Sequence, residues 1–225
     1  MGWLAVALVV AGFAPRLLDT SRRVGPVTPL VAAHAVLCTA WLLVYVLQAH
    51  LVRAERRDGH RALGFVALPL AGALIVLGYA TAMTTARRGF DLSGAFPSPY
   101  RLSELVFPLG DLVSFGVLVA AALWFRARAD AHKRLMLLAT VGSLMAAPLA
   151  HLLGALPPLP GAPPVIVPLL ALLYFSPALH DRLRAGRVHP VSLWGGSALL
   201  VWANVRAAVI GPSDVWQRFA AWLVH

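Results

Sequence analysis

Arg126-Ala-Arg-Ala-Asp-Ala-His132-Lys-Arg-Leu-Met136 separates two long apolar runs. An acid and a histidine open the second run. The same arrangement recurs at Arg56-Arg-Asp-Gly-His60-Arg-Ala-Leu-Gly64, and a looser copy stands at Arg182-Leu-Arg-Ala-Gly-Arg-Val-His189-Pro190. Three times, then, the chain leaves an apolar segment, turns on basic residues, and re-enters an apolar segment at a histidine. That repeat sets the topology.

The apolar runs themselves set the class. The chain is 60% hydrophobic and 12% charged, with a mean hydropathy of +0.77. A soluble domain carries about a quarter charged residues. The apolar excess falls in separate runs of roughly 20 residues, each long enough to cross about 30 Å of hydrocarbon. These features predict an all-α polytopic transmembrane bundle, one integral membrane domain over 1–225. The net charge of +10 does not point to nucleic acid, because the basic residues cluster in short turns where they meet anionic headgroups. Cys38 is the single cysteine, which excludes an internal disulfide and a cysteine metal site. Lys133 is the single lysine and lies at a segment edge, which excludes a retinal Schiff base on a late helix.

Seven spans are expected, six if the first does not cross. They are Trp3–Leu18, Val27–Val52, Arg61–Met83, Glu104–Phe125, Lys133–Leu156, a sixth ending near His180, and His189–Ile210. The first is short, because Pro15 and Arg16 interrupt it. The turn-forming stretch Thr84–Ser103 is the longest connection, and Pro157–Pro164 is a proline-rich link. The tail, 212–225, places Val215, Phe219, Trp222 and Leu223 opposite Gln217 and Arg218, which reads as an interfacial amphipathic helix. Asp58 and Asp130 stand where N-caps belong. Eleven Lys and Arg side chains occupy the turns after spans two, four and six, against seven on the opposite side. The expected location is the bacterial cytoplasmic membrane, with the amino terminus inside.

Depth along each span divides the polar residues into two layers. His34 lies 19 residues from Arg53 and His151 lies 18 from Lys133. At 1.5 Å per residue both are roughly 27–28 Å from the inner edge. Tyr79 shares that level. Asp111 and Asn204 lie roughly 22 Å out, with Arg206 about a turn beyond. Ionisable residues inside a span are costly and face the bundle interior, so His34, Tyr79, Asp111, His151, Asn204 and Arg206 form a candidate outer site. The plain alternative is an Asp111–Arg206 ion pair beside histidines bonded to hydroxyls or carbonyls. The inner layer holds His50, His60, His132, His180 and His189, with Gln48 one turn deeper than the first. Five histidines suggest a metal cluster with His60, His132 and His189 as ligands. Imidazoles in the first turns of helices, at a headgroup boundary, are the structural alternative. HxxxH, HxxHH and HExxH spacings are all absent.

Haem b in a bundle needs two facing histidines at one depth, and His34 with His151 meet that condition. A two-haem design needs two histidines on one face of a helix. His34 and His50 are about 160° apart and His132 and His151 about 100°, so that design is disfavoured.

His34 followed by Trp41 and Gln48, His60-Arg-Ala-Leu-Gly64, Leu109-Gly-Asp111, His132-Lys-Arg-Leu-Met-Leu-Leu-Ala-Thr140 and Gly186-Arg-Val-His-Pro-Val-Ser-Leu-Trp-Gly-Gly196 together carry a resemblance. The chain resembles a large group of uncharacterised bacterial multi-pass proteins. Its His-Arg-x-Leu-Gly and His-Lys-Arg-Leu-Met pieces are similar to small membrane families that are loosely cytochrome b-like. The resemblance covers nearly everything after the first span and implies a helical bundle with histidine-headed spans, without an activity.

Three readings follow. The first is electron transfer near the outer face through one haem b on His34 and His151. The second is a non-catalytic accessory subunit or lipid-binding module, whose partners are membrane lipids and other membrane subunits. The third is a non-haem metal enzyme using the inner histidines.

Overall fold

Thr28 and Pro29 open the first long helix in the way their chemistry suggests. The Thr28 hydroxyl accepts from the Val31 N–H at 3.3 Å, and Pro29 holds a first-turn position where no N–H is required. The structure, a computed structural model, describes residues 2–19, 27–89, 101–154 and 166–225. Among these there is no strand. The elements are α1 (Gly2–Leu18), α2 (Pro29–Arg53), α3 (Arg57–Arg88), α4 (Val106–Trp124), α5 (Ala129–Leu137), α6 (Ala146–Gly154), α7 (Ile166–Ala185), α8 (Pro190–Val205) and α9 (Asp214–Val224). A 3₁₀ turn, Leu102–Leu105, leads into α4. Wide π turns continue α5 over Leu138–Ser143 and α8 over Arg206–Ile210.

Among the described residues, five helical stretches are long and apolar enough to cross a membrane: Pro29–Arg53, Arg57–Arg88, Leu102–Trp124, Ala129–Leu153 and Pro190–Ile210. The protein is therefore a helical, multi-pass membrane protein. The expected first span is the shorter α1. In the sixth, α7, the polar residues His180 to Arg184 occupy the last turns.

Several boundaries differ from the sequence reading. Helix α3 runs past the expected Arg61–Met83 at both ends, because nothing in Thr84 to Arg88 breaks it. It stops at Gly89, whose φ of 73° suits glycine. Arg56 and Arg128, not Asp58 and Asp130, hold the N-cap positions, with no side-chain cap bond. The two aspartates lie inside the first turns, where a carboxylate still favours the positive helix end. The fifth span is not one regular helix. It widens at Leu138 and bends at Met145, three residues before Pro148, which has no N–H to give to the preceding turn.

Helix α2 packs between α1 and α3, α3 on α4, α4 on α5, α7 on α8, and α1 on α6. Lipid chains are as apolar as leucine, so these contacts depend on close fit rather than on exclusion of water. The main core joins Trp41, Ala71, Leu74, Phe115 and Ala139. The Trp41 and Phe115 rings meet edge to face at 4.9 Å, and Trp41 Nε1 donates to Thr140 Oγ1 at 3.2 Å. Gly12 of α1 lies directly against the Pro148 backbone, leaving no room for a Cβ.

The tail does form a helix, capped by Ser213 Oγ accepting from the Trp216 N–H at 3.2 Å. Its inward face is Trp216, Ala220 and Leu223, packed on Ala82, Met83, Ala86 and Leu105. Val215, Phe219 and Trp222, expected on the apolar face, are the more exposed set. Two bonds tie α9 to the bundle: Trp216 Nε1 donates to Leu102 O at 3.1 Å, and Arg87 Nε to Val224 O at 2.9 Å.

Candidate functional site

The outer site is built around Arg206. The π turn that begins there widens the end of α8 and leaves the guanidinium buried between helices, at 3% exposure. Arg206 Nη1 donates to Asp111 Oδ1 and to the Phe107 carbonyl, both at 2.8 Å. The Trp202 ring lies 5.4 Å from the guanidinium carbon and the Phe107 ring 6.0 Å. Gly110 makes this possible, since a side chain there would occupy the guanidinium's space. One donor, Arg206 Nε, is buried without an acceptor. Leaving such a group unbonded in a low-dielectric interior is costly.

Beside this ion pair runs an apolar groove of about 870 Å³ between α3, α4, the end of α8 and α9. Tyr79, Val113, Trp202, Trp216 and Phe219 are among its walls, and so is Gly110, which separates it from Arg206. Of the residues expected at this level, Tyr79 lines the groove, while Asp111 and Arg206 are not among its walls and meet it only through Gly110. The sequence reading did not contain the groove, because the walls are ordinary leucine, valine and aromatic residues from four distant segments.

The other members of the outer layer go elsewhere. Asn204 is exposed and donates to Leu200 O of its own helix at 2.8 Å. His34 packs against α3 at Gly78, and its Nε2 lies 3.5 Å from Cys38 Sγ. Its Nδ1 has no hydrogen-bond partner. His151 is buried on α6, with its ring 4.5 Å from that of Phe13 on α1. The contacts described for the two imidazoles are thus on different helices. A haem ligand turns Nε2 to the iron and holds Nδ1 by a hydrogen bond, the reverse of what His34 shows. The described contacts do not fit a haem without rearrangement of His34.

At the end of the bundle that carries the basic turns, α3 and α5 bring His60 and His132 together, with ring centroids 6.3 Å apart and planes at 89°. His132 Nδ1 donates to the Ala122 carbonyl at the end of α4 at 2.7 Å. His189 is instead the N-cap of α8, its Nδ1 accepting from the Val191 N–H at 3.2 Å. His50 is exposed with its ring 6.5 Å from Trp3, and His180 is exposed. Among the described residues no three histidine, cysteine or carboxylate side chains gather as a metal site. The expected trio of His60, His132 and His189 is therefore reduced to a pair.

One charged centre was missed. Asp181, at the end of α7, accepts from Arg134 Nε at 3.0 Å and Nη2 at 2.5 Å, from Ser192 Oγ at 2.6 Å and from the His189 N–H at 3.3 Å. It joins α5, α7 and α8. Burial pushes the carboxyl up, but the bonds from Arg134, Ser192 and the His189 backbone outweigh it and hold it down at about 2. The only signal in the sequence was an acid among the basic residues of the third turn, next to His180. Asp130, by contrast, stays at the surface with Lys133 at 2.5 Å and Arg134 at 3.2 Å.

No protein-family model matches the chain, and neither a curated protein nor a solved structure does.

Proposed function

We propose that the protein is a membrane-embedded binding module for a long-chain amphiphile, a lipid or isoprenoid with an oxygen-bearing head, held in the outer-half groove. One observation carries this reading: an apolar, aromatic-walled groove of about 870 Å³ has at Gly110 a wall that backs onto a buried arginine with a donor to spare. Ligand sites of this kind are mostly apolar with a few placed polar groups. The chain buries in the groove, and the head oxygen accepts from Arg206 by passing the side-chain-free wall at Gly110. In this reading all seven apolar segments cross the bacterial cytoplasmic membrane with the amino terminus inside. The groove then opens toward the outer leaflet, and partner subunits of a larger complex are reached through the same leaflet.

The test is to purify the protein in mild detergent, exchange it extensively, and identify retained amphiphiles by native mass spectrometry. Val76 and Val113 line the groove and are exposed, so Val76→Trp and Val113→Trp fill it without entering the core. The expected result is a stoichiometric amphiphile on the unaltered protein and its loss from both variants. Equal retention by the filled variants overturns the proposal.

Haem b on His34 and His151 is the competing reading. It is favoured by two imidazoles sequestered in the outer half of the bundle, and it requires His34 to give up its Cys38 contact. A reduced-minus-oxidised visible spectrum of the same preparation tests it. A sharp α-band that is lost in His34→Ala and His151→Ala, and kept in His60→Ala, establishes this reading. A colourless protein removes it.

A further inference from the structure

The inner histidine pair has the features of a ligand set that the groove reading does not use. His132 is fixed in one tautomer, because its Nδ1–H is committed to the Ala122 carbonyl at 2.7 Å. The lone pair is then on Nε2. A backbone carbonyl on the far nitrogen is the usual way a metal-binding imidazole is oriented and made more basic. His60 lies across from it and carries a buried Nδ1 with no hydrogen-bond partner. Gln48 of α2 adds a third group. Its side chain reaches α3 at Gly64, one turn beyond His60, where its Nε2 stands 3.8 Å from the position of a Cβ. Its Oε1 is likewise buried without a partner.

Two buried polar atoms without a partner, His60 Nδ1 and Gln48 Oε1, and one imidazole with its lone pair fixed are thus carried on α3, α2 and α5, where the two rings meet and Gln48 packs one turn from His60. Positive charge is what such a set lacks. Two imidazoles on one tetrahedral metal, at about 2.0–2.1 Å per bond, place their centroids roughly 5 Å apart. The observed 6.3 Å is about 1 Å wider, within the reach of a rotamer adjustment. Nitrogen donors with a neutral oxygen suit zinc or copper rather than magnesium or calcium, which prefer carboxylates and water.

We propose that His60, His132 and Gln48 bind a single divalent ion of the zinc or copper kind at the inner end of the bundle. The ion ties α2, α3 and α5 together where each meets the cytoplasmic turns. With three protein ligands it keeps a position open to water or to a small anion. The site is separate from the groove in residues and in depth, so either proposal can fail alone.

The experiment uses the full-length chain in detergent, with any affinity tag removed and bound metal stripped by a chelator. Cu²⁺ alone is titrated and followed by electron paramagnetic resonance, and Zn²⁺ by calorimetry. The expected result is one ion per chain, with a copper signal split by two nitrogens. His60→Ala and His132→Ala should each lower affinity by more than the roughly 10–100-fold that loss of an outer-shell group costs. Gln48→Leu should weaken binding while keeping both nitrogens in the spectrum. His50→Ala should change nothing, since His50 is exposed and apart from the pair. Should His132→Ala fail to fold, His60→Gln, which keeps a polar side chain of similar reach toward the Gln48 backbone, carries the test. Binding that is unchanged in His60→Ala, or that falls equally in His50→Ala, overturns the proposal.

Discussion

Asp111 on α4 and Arg206 at the end of α8 are joined by one 2.8 Å bond, and the rest of the guanidinium is wrapped by Phe107, Gly110 and Trp202. Breaking a buried pair from one side leaves an uncompensated charge, at a cost of about 3–5 kcal/mol. Asp111→Ala should therefore lower the thermal midpoint in detergent sharply. Replacing both ends, as in Asp111→Leu with Arg206→Met, should recover much of that loss. A double variant no more stable than Asp111→Ala would show that the charges are not coupled in this way.

Gly110→Ala tests the same arrangement through shape. A methyl at this position meets Arg206 Nε at 2.9 Å and comes closer still to Cδ and Nη1. The guanidinium must then shift away from Asp111. The expected outcome is a lowered midpoint, together with weaker retention of the amphiphile proposed for the groove. A variant with unchanged stability and retention would mean that Arg206 has a second seat.

How far these sites were legible in the sequence depends on what kind of residue makes them. The helical class follows from hydropathy, and depth offers the Asp111–Arg206 ion pair as the plain alternative to a cofactor site, because charge inside an apolar run has few places to go. Counting residues from the basic turns gives His34 and His151 an equal depth along their own segments, but depth says nothing of azimuth, and their described contacts lie on different helices. Asn204 has an internal use, bonding the carbonyl one turn back, that no spacing rule reveals. The π turns at Leu138 and Arg206 change which side chains face inward, and they leave no signature in an apolar run. Asp181 was overlooked because an acid in a basic turn reads as a solvated residue until α7 and α8 are packed.

Trp41 and Thr140 tie α2 to the wide turn after α5. The indole N–H donates to the threonine hydroxyl at 3.2 Å, and that hydroxyl donates to Met136 O at 3.0 Å. Thr140 is fully buried, so Thr140→Val keeps the volume and orphans the indole N–H. The expected loss is about 1–3 kcal/mol, measured by thermal unfolding in detergent. Trp41→Phe removes the donor as well as the demand, so Thr140→Val should add little on that background. Full additivity of the two would deny the bond.

Asp181 gives the protein an acid-sensitive joint. Folding lowers its carboxyl from the ordinary 3.8 to about 2, because the bonds from Arg134, Ser192 and the His189 N–H outweigh burial. The folded state therefore binds the proton less readily than the unfolded chain. The carboxylate's contribution to stability is complete above the ordinary value and disappears as pH falls through about 2. Thermal midpoints in detergent should show this group's share falling between about pH 4 and pH 2. Asp181→Asn keeps the shape but loses the charge, so the gap between it and the unaltered protein should be widest above that window and shrink within it. Ser192→Ala removes one of the bonds that hold the carboxyl down, so its acid-dependent loss should be smaller and be complete at a higher pH, while the onset, set by the unfolded carboxyl, stays the same. A gap between the unaltered protein and Asp181→Asn that stays constant across the window would place the acid response on other carboxylates.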